Sequence, residues 1–298
     1  MAEKRRWAII VHGGAKAIDA SLLERNRQGC AEAADAGATV LRQGGTALAA
    51  AKCAIRVLED NPIFNAGIGS VRNAAGNVEM DAALMDGEKL RLGAVTGVSR
   101  VRNPILAAAA MLDDTPVLLA GEGAERYAQA HGVLLCADEE MLVDEPLASE
   151  YSKAHDTVGC VALDITGHVA AATSTGGLPG KYPGRIGDSP LSGCGLYADD
   201  DVGGVALSGD GESIIRTMLA AHAIQAMRTL PANKAVATAL RQISRVGGEA
   251  GLIAIDAVGR IGISHNSEHF AVGVHAENMM RAHGAVHREE LEELLDAR

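Results

Sequence analysis

Aromatic residues are nearly absent from this 298-residue chain: two Phe, one Trp and four Tyr make up 2% of it. Since 48% of the residues are still apolar, Ala, Val, Leu and Ile must fill the core, and such small side chains let backbones approach closely, as in a layered α/β fold. Positive charge is also short. The net charge of −11 excludes non-specific nucleic-acid binding, which needs a basic surface, and no aromatic-plus-basic stripe for single strands occurs. Cysteines are few, odd in number and scattered (Cys30, Cys53, Cys136, Cys160, Cys194) with no Cys-x-x-Cys; this reads as reduced thiols in the cytoplasm rather than a disulfide framework. Cys160 and Cys194 read as small buried hydrophobes. No apolar run approaches the ~20 residues of a membrane helix. Lys4-Arg5-Arg6 is followed only by Trp7–Val11 before His12-Gly13-Gly14, too short for a signal-peptide apolar core. A dinucleotide fingerprint and a P-loop are both missing, and the ten His residues show no His-x-x-x-His pair with a plausible third ligand.

What is present is a succession of apolar strands and Ala-rich helices. Trp7–Val11 reads as a buried strand and His12-Gly13-Gly14 as a turn. Ser21–Gln43 carries apolar residues at helical spacing, with Ser21 and Glu24 matching a capping box and Gly44-Gly45 as the stop. Thr46–Asp60 reads as a second helix ended by Asn61-Pro62. Strands are expected over Val78–Met85 and Leu92–Val98, and helices from Pro104 and over Glu122–His131. Residues 132–156 are acidic and aperiodic and read as a solvated loop. Two hairpins follow, Val158–Asp164 with His168–Thr173 and Gly251–Asp256 with Arg260–Ser264, with a strand near Gly203–Leu207 and helices near Ser213–Arg228 and Lys234–Val246 between them. Antiparallel hairpins exclude a purely parallel doubly wound sheet. One domain with an internal break accounts for this pattern, because a separate domain starting at Thr157 would expose the edge of its first hairpin.

Thr157 lies where the acidic stretch ends and the strand Val158–Leu163 begins. A threonine hydroxyl is a poor nucleophile without a base. If the Asp156–Thr157 bond is cut, Thr157 gains an α-amine with a pKa of about 7.7–8.0, and one residue then carries both nucleophile and base. Hairpin geometry returns Thr175, in Thr173-Ser174-Thr175-Gly176-Gly177, toward Thr157. Arg185 and Asp188 share a Gly-bounded loop: the Arg can clamp a carboxylate and the Asp can hold an ammonium, which together suit an α-amino acid group. The loop by itself is equally consistent with a plain Arg–Asp ion pair. Ser208-Gly209-Asp210-Gly211 can offer backbone N–H groups as an oxyanion hole, or can be an ordinary strand-to-helix turn. Asn65, in Asn65-Ala66-Gly67-Ile68-Gly69, can position a ligand carbonyl or simply close its loop.

The segments Asp156-Thr157-Val158-Gly159, Thr173–Gly177 and Pro183-Gly184-Arg185-Ile186-Gly187-Asp188-Ser189-Pro190 resemble the plant-type asparaginase/isoaspartyl aminopeptidase family. So do His12-Gly13-Gly14, Phe64–Gly69, Met80–Gly87 and Gly251–Asp256, in family order over nearly the whole chain. The resemblance implies an α+β fold, the αββα four-layer sandwich of N-terminal-nucleophile hydrolases. It also implies self-cleavage at Asp156–Thr157 into an α chain (1–156) and a β chain (157–298), assembled as a dimer of αβ heterodimers. By the same resemblance Thr157 is the nucleophile, Thr175 contacts it, and Ser208 and Gly209 form the oxyanion hole. Arg185 binds the substrate α-carboxylate, Asp188 with Gly211 holds the α-amine, and Asn65 sits beside the nucleophile. Catalysis needs no cofactor, and a structural sodium ion is implied in the loop from Leu58 to Ile68, on backbone carbonyls of Leu58, Glu59, Asn61, Phe64, Ala66 and Ile68.

Three departures from the family pattern stand out: Ser208 where Thr is usual, Lys16 where the N-terminal loop usually continues with Gly, and a short linker ending in Asp156 rather than Gly. His155-Asp156-Thr157 looks like the aspartylglucosaminidase branch, Thr175-Gly176-Gly177 like the asparaginase branch. The expected activity is hydrolysis of β-aspartyl amides, isoaspartyl dipeptides and L-asparagine. The alternatives are a glycosylasparaginase and a non-catalytic amino-acid-binding protein in which Thr157 stays uncut.

Overall fold

The computed structural model describes residues 6–141 and 157–296. Its strands are β1 (Ala8–Lys16), β2 (Met80–Asp86), β3 (Arg91–Val98), β4 (Leu118–Ala120), β5 (Val158–Leu163), β6 (Val169–Thr175), β7 (Leu196–Asp199), β8 (Gly203–Gly209), β9 (Ala250–Asp256), β10 (Ile261–His265), β11 (His269–Ala276) and β12 (His283–Ala285). Its α-helices are α1 (Leu23–Arg42), α2 (Ala47–Glu59), α3 (Pro104–Ala110), α4 (Gly121–Ala130), α5 (Gly211–Thr217), α6 (Leu219–Met227), α7 (Ala232–Leu240) and α8 (Arg288–Asp296). The fold is mixed α/β. Eight strands form one sheet, ordered β12-β11-β1-β5-β6-β2-β3-β4, and four form a second, β10-β9-β8-β7.

Strand periodicity explains how the two sheets meet. On β5, Cys160 and Ala162 turn to one side and pack with Ala50, Ile55 and Leu58 of α2. Val161 and Leu163 turn to the other and meet Ala206, Ile253 and Ile255 of the second sheet. Both faces are buried, so the strand reads as a continuous apolar run rather than an alternating one. The far side of the small sheet, through Val205, Leu207, Leu252 and Ala254, is covered by α6 and α7. Small residues set the sheet separation: a Cβ on Gly204 would lie 2.8 Å from the methyls of Val161 and Val169.

Several expectations need correction. His12-Gly13-Gly14 is not a turn; β1 runs through it. Between His12 and Ala15 the register against β11 moves from Val272 to Phe270, so β1 carries one extra residue, a bulge that Gly14 permits at φ +116°. The Ser21 capping box does not form. Leu22 is the N-cap and makes no side-chain bond, because the Asp19 carboxylate captures both the Ser21 N–H at 2.8 Å and its hydroxyl at 2.6 Å. The helix expected over 213–228 is broken at Met218, which adopts φ +47° between α5 and α6. Residues 132–141, read as solvated, are tied down by Cys136 N–H donating to Arg100 O at 2.9 Å and by the buried side chain of Met141. The remainder of that stretch, 142–156, including Asp156, lies outside the described residues. Strands β4, β7, β11 and β12 were not read from the sequence, and β4 adds in parallel to β3. No described helix is long and apolar enough to cross a membrane.

Candidate active site

The hairpin β5–β6 pairs Val158 with Ser174 and Gly159 with Thr173, so the positions of Thr157 and Thr175 continue that register. Both residues line one cleft, together with Gly177, Arg185, Asp188, Ser189, Gly209 and Gly211. The cleft therefore collects residues from the end of β5, the end of β6, the 176–195 loop and the β8–α5 turn. Of the expected site residues, Asn65 and Ser208 lie just behind it.

Thr157 is buried, at 6% exposure. Its backbone N–H donates to Ser208 Oγ at 3.3 Å, and its Oγ1 lies 3.1 Å from Ser189 Oγ. Ser208 Oγ also accepts the Ala15 N–H at 3.1 Å. Two N–H donors occupy the two lone pairs of this hydroxyl, which leaves its proton as the group's remaining capacity, the one an oxyanion needs. Gly209, at φ +144°, packs against the Glu249 carbonyl so closely that any Cβ would overlap it. Thr175 Oγ1 accepts the Gly177 N–H at 2.9 Å, and Asn65 braces the same turn: its Nδ2 donates to Gly177 O at 2.6 Å and its carbonyl accepts Gly176 N–H at 2.8 Å.

Arg185 and Asp188 do not pair with each other. The Arg185 guanidinium donates from Nε and Nη2 to Glu212 at 2.8 and 2.6 Å, leaving the donors of Nη1. Asp188 is 3% exposed and its Oδ2 has no hydrogen-bond partner. Burial pushes its carboxyl up to about 7, against the opposing pull of its own backbone N–H and of Arg185, with Glu212 and Asp81 adding to the rise. An unpaired buried carboxylate is costly, and a cation in the cleft would relieve it. The Gly211 Cα faces this group; a Cβ there would sit 3.0 Å from Asp188 Oδ1 and 2.9 Å from Arg185 Nη2.

Two buried groups near the cleft were not singled out from the sequence. Lys181, in the Gly/Pro-rich 176–195 loop, is buried, donates from Nζ to Glu79 O at 2.7 Å and underlies Gly177. His12 lies against Gly159, and burial lowers its imidazole to about 3, so the ring is neutral, with the Thr157 and Leu207 backbones opposing this in part. Lys16, one of the departures from the family pattern, is buried at the end of β1 opposite His269.

The Leu58–Ile68 loop presents backbone carbonyls with acceptor capacity to spare. Leu58, Asn61, Phe64 and Ala66 carbonyls each accept one backbone N–H and keep a second lone pair. Gly67, at φ +54°, comes so near the Glu59 carbonyl that a Cβ would overlap it. No His, Cys, Asp and Glu cluster suited to a metal occurs among the described residues.

Comparison with known proteins gives the family of the chain. The family described as Asparaginase matches residues 5–154 and 137–284. An isoaspartyl peptidase/L-asparaginase of Bos taurus is 40% identical over 87% of this chain and 90% of its own length. An isoaspartyl peptidase of Salmonella typhimurium is 39% identical over 87% of this chain and 92% of its own. An isoaspartyl peptidase/L-asparaginase of Homo sapiens is 44% identical over 71% of this chain. On the matched segments and on these identities, the chain belongs to the asparaginase family.

Proposed function

We propose that this protein is a self-processing amidohydrolase of β-aspartyl bonds, acting on isoaspartyl dipeptides and L-asparagine through Thr157 as an N-terminal nucleophile. The observation that carries this reading is the meeting of Thr157 with an unpaired buried Asp188 carboxylate and the Arg185 guanidinium in one cleft. A hydroxyl nucleophile 6% exposed has little use for bulk solvent, and the two charged groups match the α-ammonium and α-carboxylate of an aspartyl unit. With those anchored, the β-carbonyl is the part left to face Thr157.

Once the Asp156–Thr157 bond is cut, the Thr157 α-amine takes the hydroxyl proton while Oγ1 attacks the β-carbonyl carbon. Ser208 O–H and the Gly209 N–H hold the oxyanion. The α-ammonium gives the proton to the leaving amine, the C–N bond breaks and an aspartyl ester remains on Oγ1. Water, deprotonated by the same amine, then releases aspartate.

The two sheets with outer helices fit the four-layer αββα sandwich of N-terminal-nucleophile hydrolases, as one domain with chains 1–156 and 157–298. No cofactor takes part in the chemistry. A sodium ion on the Leu58, Glu59, Asn61, Phe64, Ala66 and Ile68 carbonyls would stiffen the loop that carries Asn65. Five free cysteines support a cytoplasmic setting, and the assembly proposed is a dimer of αβ heterodimers.

The test is direct. A denaturing gel of the wild type should show two fragments, the second beginning Thr-Val-Gly-Cys, with release of aspartate from an isoaspartyl dipeptide. Thr157→Ala should stay a single inactive chain. A wild type that remains one band would place the protein among amino-acid binders instead.

A further inference from the structure

We infer that Ser189 is a catalytic residue of this site, donating its hydroxyl proton to Thr157 Oγ1 and thereby fixing the nucleophile's rotamer and stabilising Oγ1 when it leaves the acyl-enzyme; this rests on the hydrolase reading above.

The backbone of Ser189 is held from three sides. The Asp188 carbonyl accepts the Leu191 N–H at 2.9 Å, closing a turn around it. The Ser189 carbonyl accepts the Thr173 hydroxyl at 2.6 Å. Gly195 packs so near that a Cβ there would lie 2.8 Å from Ser189 Cα. The side chain held in this way is 1% exposed, and its recorded partner is Thr157 Oγ1 at 3.1 Å.

The direction of that hydrogen bond follows from the chemistry. In the processed enzyme the single proton on Thr157 Oγ1 must go to the α-amine of the same residue. The contact with Ser189 is therefore made by the Ser189 proton. Oγ1 then has its proton on the amine, one lone pair on Ser189 and one lone pair for the substrate carbonyl, and the χ1 rotation that would mis-aim it is opposed. During release of aspartate the Oγ1–C bond breaks and its electron pair stays on Oγ1. The Ser189 donor meets that developing charge until the ammonium returns its proton. In self-cleavage, Thr157 N is an amide and cannot orient Oγ1 as an amine does, so the same contact also places the oxygen for attack on the Asp156 carbonyl.

The experiment compares wild type with Ser189→Ala, Ser189→Thr and Ser189→Cys, each as the full chain. Self-cleavage is followed on gels, and kcat and KM on an isoaspartyl dipeptide are measured per processed site. Rapidly quenched samples are weighed for aspartyl ester on the β chain. Removing a hydrogen bond to a charged group costs about 10- to 150-fold. Ser189→Ala should lose that in kcat, and ester should accumulate, with KM falling alongside kcat as slowed release of the ester requires. Ser189→Thr, which keeps the donor, should restore kcat; Ser189→Cys, a weaker donor, should fall between. Ser189→Ala processing and turning over at wild-type rates would overturn the assignment. If Ser189→Ala does not fold or process, Ser189→Cys decides: self-cleavage and turnover at wild-type rates would overturn it equally. A wild type that self-cleaves but spares β-aspartyl substrates overturns the substrate reading alone, and the self-cleavage rates of the variants still judge Ser189.

Discussion

At the scale of single residues, the site is governed by which polar groups are left without partners. Asp188 is a carboxyl raised from 3.8 to about 7, so the free protein holds it protonated below that pH and charged above it. Only the charged form pairs with an ammonium. Competitive inhibition by L-aspartate should weaken about tenfold per pH unit as pH falls below about 7, and Asp188→Asn should remove that dependence together with most of the affinity. An inhibition constant flat across this range would detach Asp188 from ammonium binding. Ser208 illustrates the opposite case. A serine has more rotamer freedom than the threonine usual in the family, yet the Ala15 and Thr157 N–H groups already fix its oxygen. Ser208→Thr should therefore change kcat by less than about threefold, whereas Ser208→Ala, which deletes the proposed oxyanion donor, should lower kcat by about 10²–10³. The measurement is steady-state turnover of fully processed protein.

At the scale of elements, Glu59 links three of them. It closes α2, accepts the Ile105 N–H at the start of α3 at 3.0 Å, and accepts the Ser174 hydroxyl of β6 at 2.7 Å, next to Thr175. Burial raises it from 4.5 to about 8, opposed by these hydrogen bonds. The folded state thus binds a proton that the unfolded chain has released between those values. Its contribution is fully present below about pH 4.5 and is lost as pH rises through about 8. Glu59→Gln carries no such proton. The difference in thermal midpoint between variant and wild type should move in the variant's favour from pH 5 to pH 8, by no more than a few kcal/mol in stability. Parallel midpoints across that range would show that Glu59 ionises at its ordinary value.

At the scale of the whole molecule, the proposed cut at Asp156–Thr157 would not separate the halves. In the order β12-β11-β1-β5-β6-β2-β3-β4, β1 from the first half is flanked by β11 and β5 from the second, and β6 from the second pairs with β2 from the first. Parting the fragments would break three strand pairings and open cores made by both. The fragments should co-elute on gel filtration, separate only in denaturant, and unfold in one transition. Elution of either fragment alone from native, processed protein would contradict this topology.

The sequence by itself determined the strand at 158–163, the hairpin that returns Thr175, both Gly-rich charged loops, the helices at α1 and α2, and the shortage of aromatics that calls for closely spaced sheets. These are local properties: periodicity, turn chemistry and residue volume act within a few residues of one another. Tertiary structure decided the rest. The bulge at Gly14 depends on pairing with β11, some 250 residues away, so the same three residues read alone as a turn. Strands β11 and β12 come from a segment whose His and Gly residues hide the apolar run, and only burial between neighbours makes it a strand. Arg185 could be read as the partner of Asp188, but the fold gives its fork to Glu212 and leaves Asp188 alone. Ser189 was visible only as a letter in a motif; its contact with Thr157, 32 residues earlier, exists because the 176–195 loop folds back over the end of β5. Long-range hydrogen bonding and desolvation set those partnerships, and neither is written in sequence spacing.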